Sequence, residues 1–152
     1  MATGAGQRVE ELAQDLFEVL TQVCLATLRG RRRAGDLKEL EYLTLSILQA
    51  HQPMIVGDIQ RLLGVLPAQM SRIIRSLEAR DLPLIACQIN PQDKRKVDVT
   101  LTAGGDKALA DYQEARVSRL SERLRSLAEE DQEELVHLVQ KLSALLERPS
   151  AE

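Results

Sequence analysis

Residues 90–105 place a polar turn, Asn-Pro-Gln-Asp, directly before a short stretch in which apolar and polar residues alternate. The alternating residues are Val97, Asp98, Val99, Thr100 and Leu101. Such alternation is typical of a β-strand that is buried on one face only. Three consecutive cations, Lys94, Arg95 and Lys96, lie between the turn and the strand. The segment therefore predicts a β-ribbon with a positively charged tip, in a chain whose other segments have helical periodicity.

Two short helical patterns lie just before this ribbon. The first covers residues 57–63 and ends at Gly64, which can adopt the left-handed conformation that closes many helices. The second begins at Pro67, a favoured first helical residue, and runs to about residue 80. Its apolar stripe consists of Met70, Ile73, Ile74 and Leu77. Two short helices joined by a tight turn that contains Gly are typical of a helix-turn-helix motif.

The other face of the second helix is polar and suits the recognition of base edges. Its residues are Gln69, Arg72, Arg75 and Ser76. Arginine can donate two hydrogen bonds to guanine, and glutamine can pair with adenine, in the major groove of DNA. Residues 84–89, Leu-Ile-Ala-Cys-Gln-Ile, supply a first strand for the ribbon. A recognition helix followed by a cation-tipped hairpin is the winged arrangement, whereas an ordinary surface helix with two arginines is the alternative.

The charge distribution favours a nucleic-acid partner although the net charge of the 152-residue chain is −3. Residues 61–96 contain seven cations and three anions, a balance of +4, so the rest of the chain carries −7. An acidic frame around a basic middle is expected of a DNA-binding lobe inside a larger domain. A solvated surface of mixed charge is the alternative explanation.

Composition argues against several other classes of protein. The cysteines, Cys24 and Cys87, and the histidines, His51 and His137, are too widely separated for a metal site or a disulfide framework. No spacing suggests a catalytic triad or a phosphate-binding loop, so we expect neither enzymatic activity nor a cofactor. No apolar run approaches the roughly 20 residues that span a bilayer, and a cytoplasmic protein is expected.

The remaining segments predict long helices on both sides of the central lobe. Residues 1–7 are expected to be a disordered tail, and helices are predicted over residues 8–28, 36–50, 103–127 and 129–147. Asp36 and Thr102 are the candidate N-caps of the second and third of these. The first helix and the last two keep full apolar stripes outside the lobe, which favours pairing with a second copy. A self-contained bundle is the alternative.

The wing segment carries a family resemblance. It resembles the MarR family of transcription regulators, whose wing follows Asp-x-Arg-x-x-x-Val-x-Leu-Thr-x-x-Gly. The fixed positions are filled here by Asp93, Arg95, Val99, Leu101, Thr102 and Gly105, and the recognition helix is similar at Ser71-Arg72 and Leu77-Glu78. Differences from the family pattern include Leu66 in place of a Ser or Asp helix cap, Ile55 in place of Thr, and Cys87 in place of an Arg.

This resemblance implies a mainly α (α+β) fold: one domain over residues 8–152, with a winged helix-turn-helix lobe at 36–102 and a two-stranded wing. Residues 8–35 and 103–148 would form dimerisation helices. It implies a homodimer that binds a palindromic double-stranded operator, commonly as a repressor. By position, the DNA-binding residues are Gln69, Ser71, Arg72, Arg75, Lys94, Arg95 and Lys96, with Asp93 orienting Arg95.

Two further expectations concern signal sensing. A small phenolic or anionic effector is implied by the resemblance, and the basic run 31–33 with Tyr42 supplies the candidate lining. Cys87 is a candidate redox switch, since nearby cations would lower the pKa of its thiol, whereas a small buried cysteine is the alternative. A rival to the whole interpretation is a winged-helix protein-interaction module with weak or no DNA binding.

Overall fold

The computed structural model describes residues 4–28 and 36–147, and it divides the chain into two compact units, one ending at Asp36 and the next beginning at Leu37. The first unit contains one helix, α1, Gly4–Leu28. It begins four residues before the predicted start, so residues 4–7 are helical and not part of a disordered tail. The basic run 31–33 and the terminal residues 1–3 and 148–152 lie outside the described residues.

The second unit contains five helices and a small sheet. In chain order these are α2 (Glu39–His51), β1 (Met54–Ile55), α3 (Val56–Leu63), α4 (Pro67–Glu78), β2 (Ile85–Ile89), β3 (Val97–Leu101), α5 (Ala103–Leu124) and α6 (Glu129–Leu146). The predicted fold class, mainly helical with a winged helix-turn-helix lobe, is confirmed. The two predicted strands of the wing are β2 and β3, and β1, which was not predicted, adds a third antiparallel strand to the sheet in the order β1-β3-β2.

Two helix ends differ from the predictions for local reasons. The N-cap of α2 is Lys38 and not Asp36. The backbone N–H of Lys38 donates to the carboxylate of Glu41 at 2.9 Å, so a side chain inside the helix supplies the cap. Helix α5 ends at Leu124, three residues early, and the side-chain amide of Gln132 donates to the carbonyl oxygens of Leu124 and Leu127.

The core of the second unit is aliphatic and is formed by side chains of α2, α3, α4, the sheet and α5. Its fully buried side chains include Leu45 and Leu48 from α2, Ile59 from α3, Met70 and Leu77 from α4, Ile85 and Val99 from the sheet, and Leu109 from α5. Gly64 ends α3 with φ of 64°, which confirms the predicted left-handed turn between α3 and α4. The predicted apolar stripe of α4 therefore does face the core.

Glu41 is a buried carboxylate that joins α2 to the C-terminal half of α4. Only 2% of its surface is exposed. Besides the N–H of Lys38, its oxygens accept hydrogen bonds from Ser76 Oγ at 2.5 Å and from the Arg80 guanidinium at 3.0 Å. A buried carboxylate is tolerated only when it is satisfied in this way. Ser76 is thus a structural contact, and its predicted place on the outward polar face of α4 is wrong.

A second constraint joins the end of α4 to the start of α5 through the backbone of Leu84. Its N–H donates to the Leu77 carbonyl at 3.0 Å, and its carbonyl accepts from the Thr102 N–H at 3.2 Å. A Cβ atom on Gly105 would lie 2.0 Å from the Leu84 carbonyl oxygen. Thr102 caps α5 as predicted, since its hydroxyl oxygen accepts from the Gly105 N–H at 3.0 Å. Glycine is therefore required where α5 crosses the segment that leads into the wing.

Gly105→Ala is expected to lower the free energy of unfolding by about 2–3 kcal/mol, because the added methyl group overlaps a backbone oxygen that cannot move freely. Urea denaturation measures the effect. Gly57→Ala is the matched control, since no atom lies within 4 Å of a Cβ built at that position in α3. Its stability should be unchanged or raised by up to about 1 kcal/mol. Equal stability of the two variants would contradict the packing described here.

Glu41→Ala is expected to lower the free energy of unfolding by about 2 kcal/mol, because Ser76 and Arg80 lose their shared acceptor in a largely buried place. The Arg80 side chain retains 25% exposure, which limits the loss. Asp111→Ala, which breaks the exposed ion pair with Lys107, should change stability by less than about 0.5 kcal/mol. A similar small change for both variants would show that the Glu41 contacts do not stabilise the lobe.

Candidate nucleic-acid interface

Helix α4 presents its predicted DNA-binding side chains to solvent. Gln69, Ser71, Arg72 and Arg75 are all exposed, while Met70, Ile73 and Leu77 on the same helix are buried. Within the part of the chain that the structure describes, the guanidinium groups of Arg72 and Arg75 are not engaged by any carboxylate. Two cations of α4 are therefore available to an external ligand.

The starts of the two helices of the motif lack side-chain caps. Ile55 precedes α3 and Leu66 precedes α4, both with extended backbone, and neither makes a capping hydrogen bond. This agrees with the sequence, which has apolar residues where the family pattern has Thr, Ser or Asp. The N–H groups of the first turns are left without a side-chain acceptor from these positions.

The wing is a regular hairpin whose tip is organised by Asn90. Strands β2 and β3 pair from Ile85 opposite Leu101 to Ile89 opposite Val97. The side-chain oxygen of Asn90 accepts from the N–H groups of Gln92 and Asp93, at 2.9 and 3.0 Å. Its amide nitrogen donates to both oxygens of Asp98, at 2.9 and 3.1 Å. The sequence identified Asn90 only as a turn residue, and an Asn-Pro-x-Asp turn is the one signal that could have indicated this role.

Asp93 holds Arg95 in the manner that the family pattern implies. The carboxylate accepts from the backbone N–H and from Nε of Arg95, both at 3.1 Å, and from Nη2 at 3.3 Å. The hydrogen bonds from Arg95 keep the pKa of the Asp93 carboxyl below its usual value. The Arg95 side chain is 89% exposed, and Lys94 and Lys96 beside it are exposed as well. The structure thus brings the three wing cations together at one tip, where the Asp93 carboxylate fixes the orientation of Arg95.

Cys87 does not have the properties expected of a redox switch. Burial, together with a hydrogen bond and charge repulsion from Glu78, raises the pKa of its thiol to about 12. The prediction of a lowered pKa is wrong, because the side chain is partly buried and lies near the Glu78 carboxylate at the end of α4. The raised pKa favours the alternative of a small packing residue.

Tyr42, the candidate effector contact, belongs to a cluster between α2 and α5. Its ring stacks on Tyr112 with centroids 4.3 Å apart, and the Arg116 guanidinium lies 4.7 Å from the Tyr112 ring. Glu39 accepts from the Tyr112 hydroxyl at 2.8 Å and from Arg116 at 2.6 Å. Burial and Glu39 raise the pKa of Tyr112 to about 12. The basic run 31–33, the other half of that expected site, lies outside the described residues.

The described segments, residues 4–28 and 36–147, show two further properties. They contain no cluster of three or more His, Cys, Asp or Glu side chains placed to hold a metal ion. No helix among them combines the length and apolarity that crossing a bilayer requires.

Comparison with known proteins identifies the lobe. Residues 37–97 match the model of the MarR family, whereas no curated protein sequence matches the chain significantly. The fold is similar to that of YusO from Bacillus subtilis, at 23% identity and a TM-score of 0.69 over 93% of this chain and 99% of that one. It is also similar to S. aureus MepR in a complex with DNA, at 26% identity and a TM-score of 0.52 over 71% of this chain and 80% of that one.

A third similar structure was determined to explain how 6-hydroxynicotinic acid regulates DNA binding by BpsR of Bordetella bronchiseptica. It is 22% identical, with a TM-score of 0.61 over 87% of this chain and 98% of that one. The family match falls on the segment from α2 to the start of β3, which contains the recognition helix and the wing. Over residues 37–97 the chain is thus similar to the MarR family.

Proposed function

We propose that this protein is a sequence-specific, double-stranded DNA-binding transcriptional regulator with no enzymatic activity. The proposal rests on one observation: two separate groups of exposed cations, one on α4 and one on the wing, lie in the same lobe. Helix α4 exposes Arg72 and Arg75, which have no carboxylate partner among the described residues, and the neighbouring wing exposes an Arg95 that Asp93 orients. Among the similar structures, MepR has been solved with DNA, and BpsR is described by the regulation of its DNA binding.

The two features have different tasks in this proposal. Helix α4 enters the major groove, where its exposed side chains Gln69, Ser71, Arg72 and Arg75 meet base edges and neighbouring phosphates. The wing follows the adjacent backbone, with Arg95 in the minor groove and Lys94 and Lys96 on flanking phosphates. The basic balance of residues 61–96 attracts DNA, while the acidic remainder of the chain limits binding to this lobe.

The proposed assembly is a homodimer in the cytoplasm that binds a palindromic operator. Its support is the amount of apolar surface left uncovered on helices outside the lobe. On α5 and α6 the exposed apolar side chains include Val117, Leu120, Val136, Leu138, Val139, Leu145 and Leu146. On α1 they include Val9, Leu12, Phe17, Leu20 and Val23. Exposed apolar stripes of this extent mark interaction surfaces, and a second copy is the simplest partner, with residues 8–35 and 103–148 as dimerisation segments.

We further propose that the protein is a repressor that releases DNA when a small phenolic or anionic molecule binds. This proposal is supported by the similar structure of BpsR, whose DNA binding is regulated by 6-hydroxynicotinic acid. Oxidation of Cys87 is not proposed as a signal, because burial and Glu78 raise the pKa of its thiol.

Arg95→Ala is expected to weaken binding to all duplexes and to reduce the slope of log affinity against log salt by about 1. Arg72→Ala should cost about 1–3 kcal/mol on the preferred site and relax the preference at one base pair. Gel-shift titrations at two stated salt concentrations, with duplexes from the upstream region of the coding sequence, measure both effects.

Arg119→Ala is the matched control for these variants. It removes the same charge from an exposed position on α5, where the side chain, within the described segments, bonds only to the carbonyl oxygen of Ala115. Its DNA affinity should stay within about twofold of the unchanged protein. If all three arginine variants bound DNA equally, or if the unchanged protein bound no duplex at low salt, the proposed function would be wrong.

A further inference from the structure

The first turn of α4 presents an apolar surface to solvent. Leu66, Pro67 and Ala68 are all exposed, and 74% of the Leu66 surface is accessible. In helix-turn-helix proteins the N-terminal residues of the second helix contact base edges in the major groove. In the function proposed above, this apolar turn therefore contacts base edges. The arginines of α4 contact base pairs further along the groove.

Neither packing nor helix stability accounts for a leucine at position 66. Its neighbours Leu63 and Val65 pack against the core, whereas Leu66 does not. It is the N-cap residue of α4, with φ of −73° and ψ of 154°, and it makes no capping hydrogen bond. A serine or aspartate there would satisfy a backbone N–H of the first turn that leucine leaves to solvent. The leucine is exposed, and it occupies a position where a capping side chain would stabilise α4. This indicates that its side chain makes a contact only when a partner is bound.

The major groove offers one apolar group, the C5-methyl of thymine. We propose that Leu66 is a specificity-determining residue that packs on a thymine methyl group in each half-site. This inference rests on the proposed function and adds a base preference to it.

Gln69 extends the same preference. It lies three residues after Leu66, about 4.5 Å further along the helix axis, which is close to one base-pair step of about 3.4 Å. Its exposed side-chain amide suits the N6 and N7 atoms of adenine. The start of α4 thus favours A·T pairs, and Arg72 and Arg75 favour guanine further along the groove.

Replacement of thymine by deoxyuridine tests the proposal, since this change removes only the methyl group. The probe is a duplex that the unchanged protein enriches from a random pool, with each thymine replaced singly. At the thymine under Leu66 the affinity of the unchanged protein should fall about three- to fivefold, the effect of one buried methyl group. Leu66→Ala should bind the thymine and uracil duplexes equally.

Leu82→Ala is the matched control, because Leu82 is also 74% exposed but lies beyond the C-terminal end of α4. It should keep the preference for thymine. Leu66→Ser separates a structural role from a reading role. It should raise the melting temperature by supplying the missing cap, and it should nevertheless lose the preference.

The possible failures are distinguishable. If the unchanged protein enriches a sequence and binds it, but both Leu66 variants still prefer thymine over uracil at every position, the inference about Leu66 is overturned and the proposed function stands. Insensitivity of the unchanged protein to every methyl group would overturn it equally. If no sequence is enriched at all, the proposed function and this inference fail together.

Discussion

The buried carboxylate of Glu41 is the contact on which the geometry of the lobe most depends. It binds a backbone N–H at the start of α2 and two side chains at the end of α4, so one group closes a cap and fixes the recognition helix against its neighbour. Only 2% of its surface is exposed. Loss of any of these hydrogen bonds would therefore leave a buried polar group unsatisfied, which lowers stability. The aliphatic core alone would allow α4 to rotate or slide, since hydrophobic contacts are not directional.

The wing is connected to the same helix by backbone contacts and not by side chains. The N–H of Leu84 binds the end of α4, and its carbonyl binds the start of α5, where only a glycine at position 105 fits. The two strands between these points bring the wing cations to one tip, and Asn90 and Asp93 fix the tip internally. A recognition helix and a wing with fixed relative positions can meet adjacent grooves of one duplex, and such preorganisation reduces the entropic cost of binding.

Much of this arrangement could be predicted from the sequence. The parts that could not be predicted share one physical cause. The wing, the cap at Thr102 and the turn at Gly64 depend on local patterns of residue type, and local patterns are visible in a sequence. Glu41 bonds to residues 35 and 39 positions later, so nothing near it marks it as buried. Strand β1 has only two residues, too few to show alternation. The raised pKa of the Cys87 thiol could not be predicted, because its burial and its contact with Glu78 arise only in the folded chain.

In the proposed function, two copies of this lobe read one duplex. Selection of bound DNA from a random pool, followed by sequencing, is the measurement that decides this. We expect an enriched inverted repeat whose half-sites are centred about one helical turn, roughly 10 base pairs, or a multiple of that apart. Enrichment of a single half-site without symmetry would contradict the dimeric arrangement. Enrichment of no sequence at low salt would contradict the claim that the lobe reads DNA.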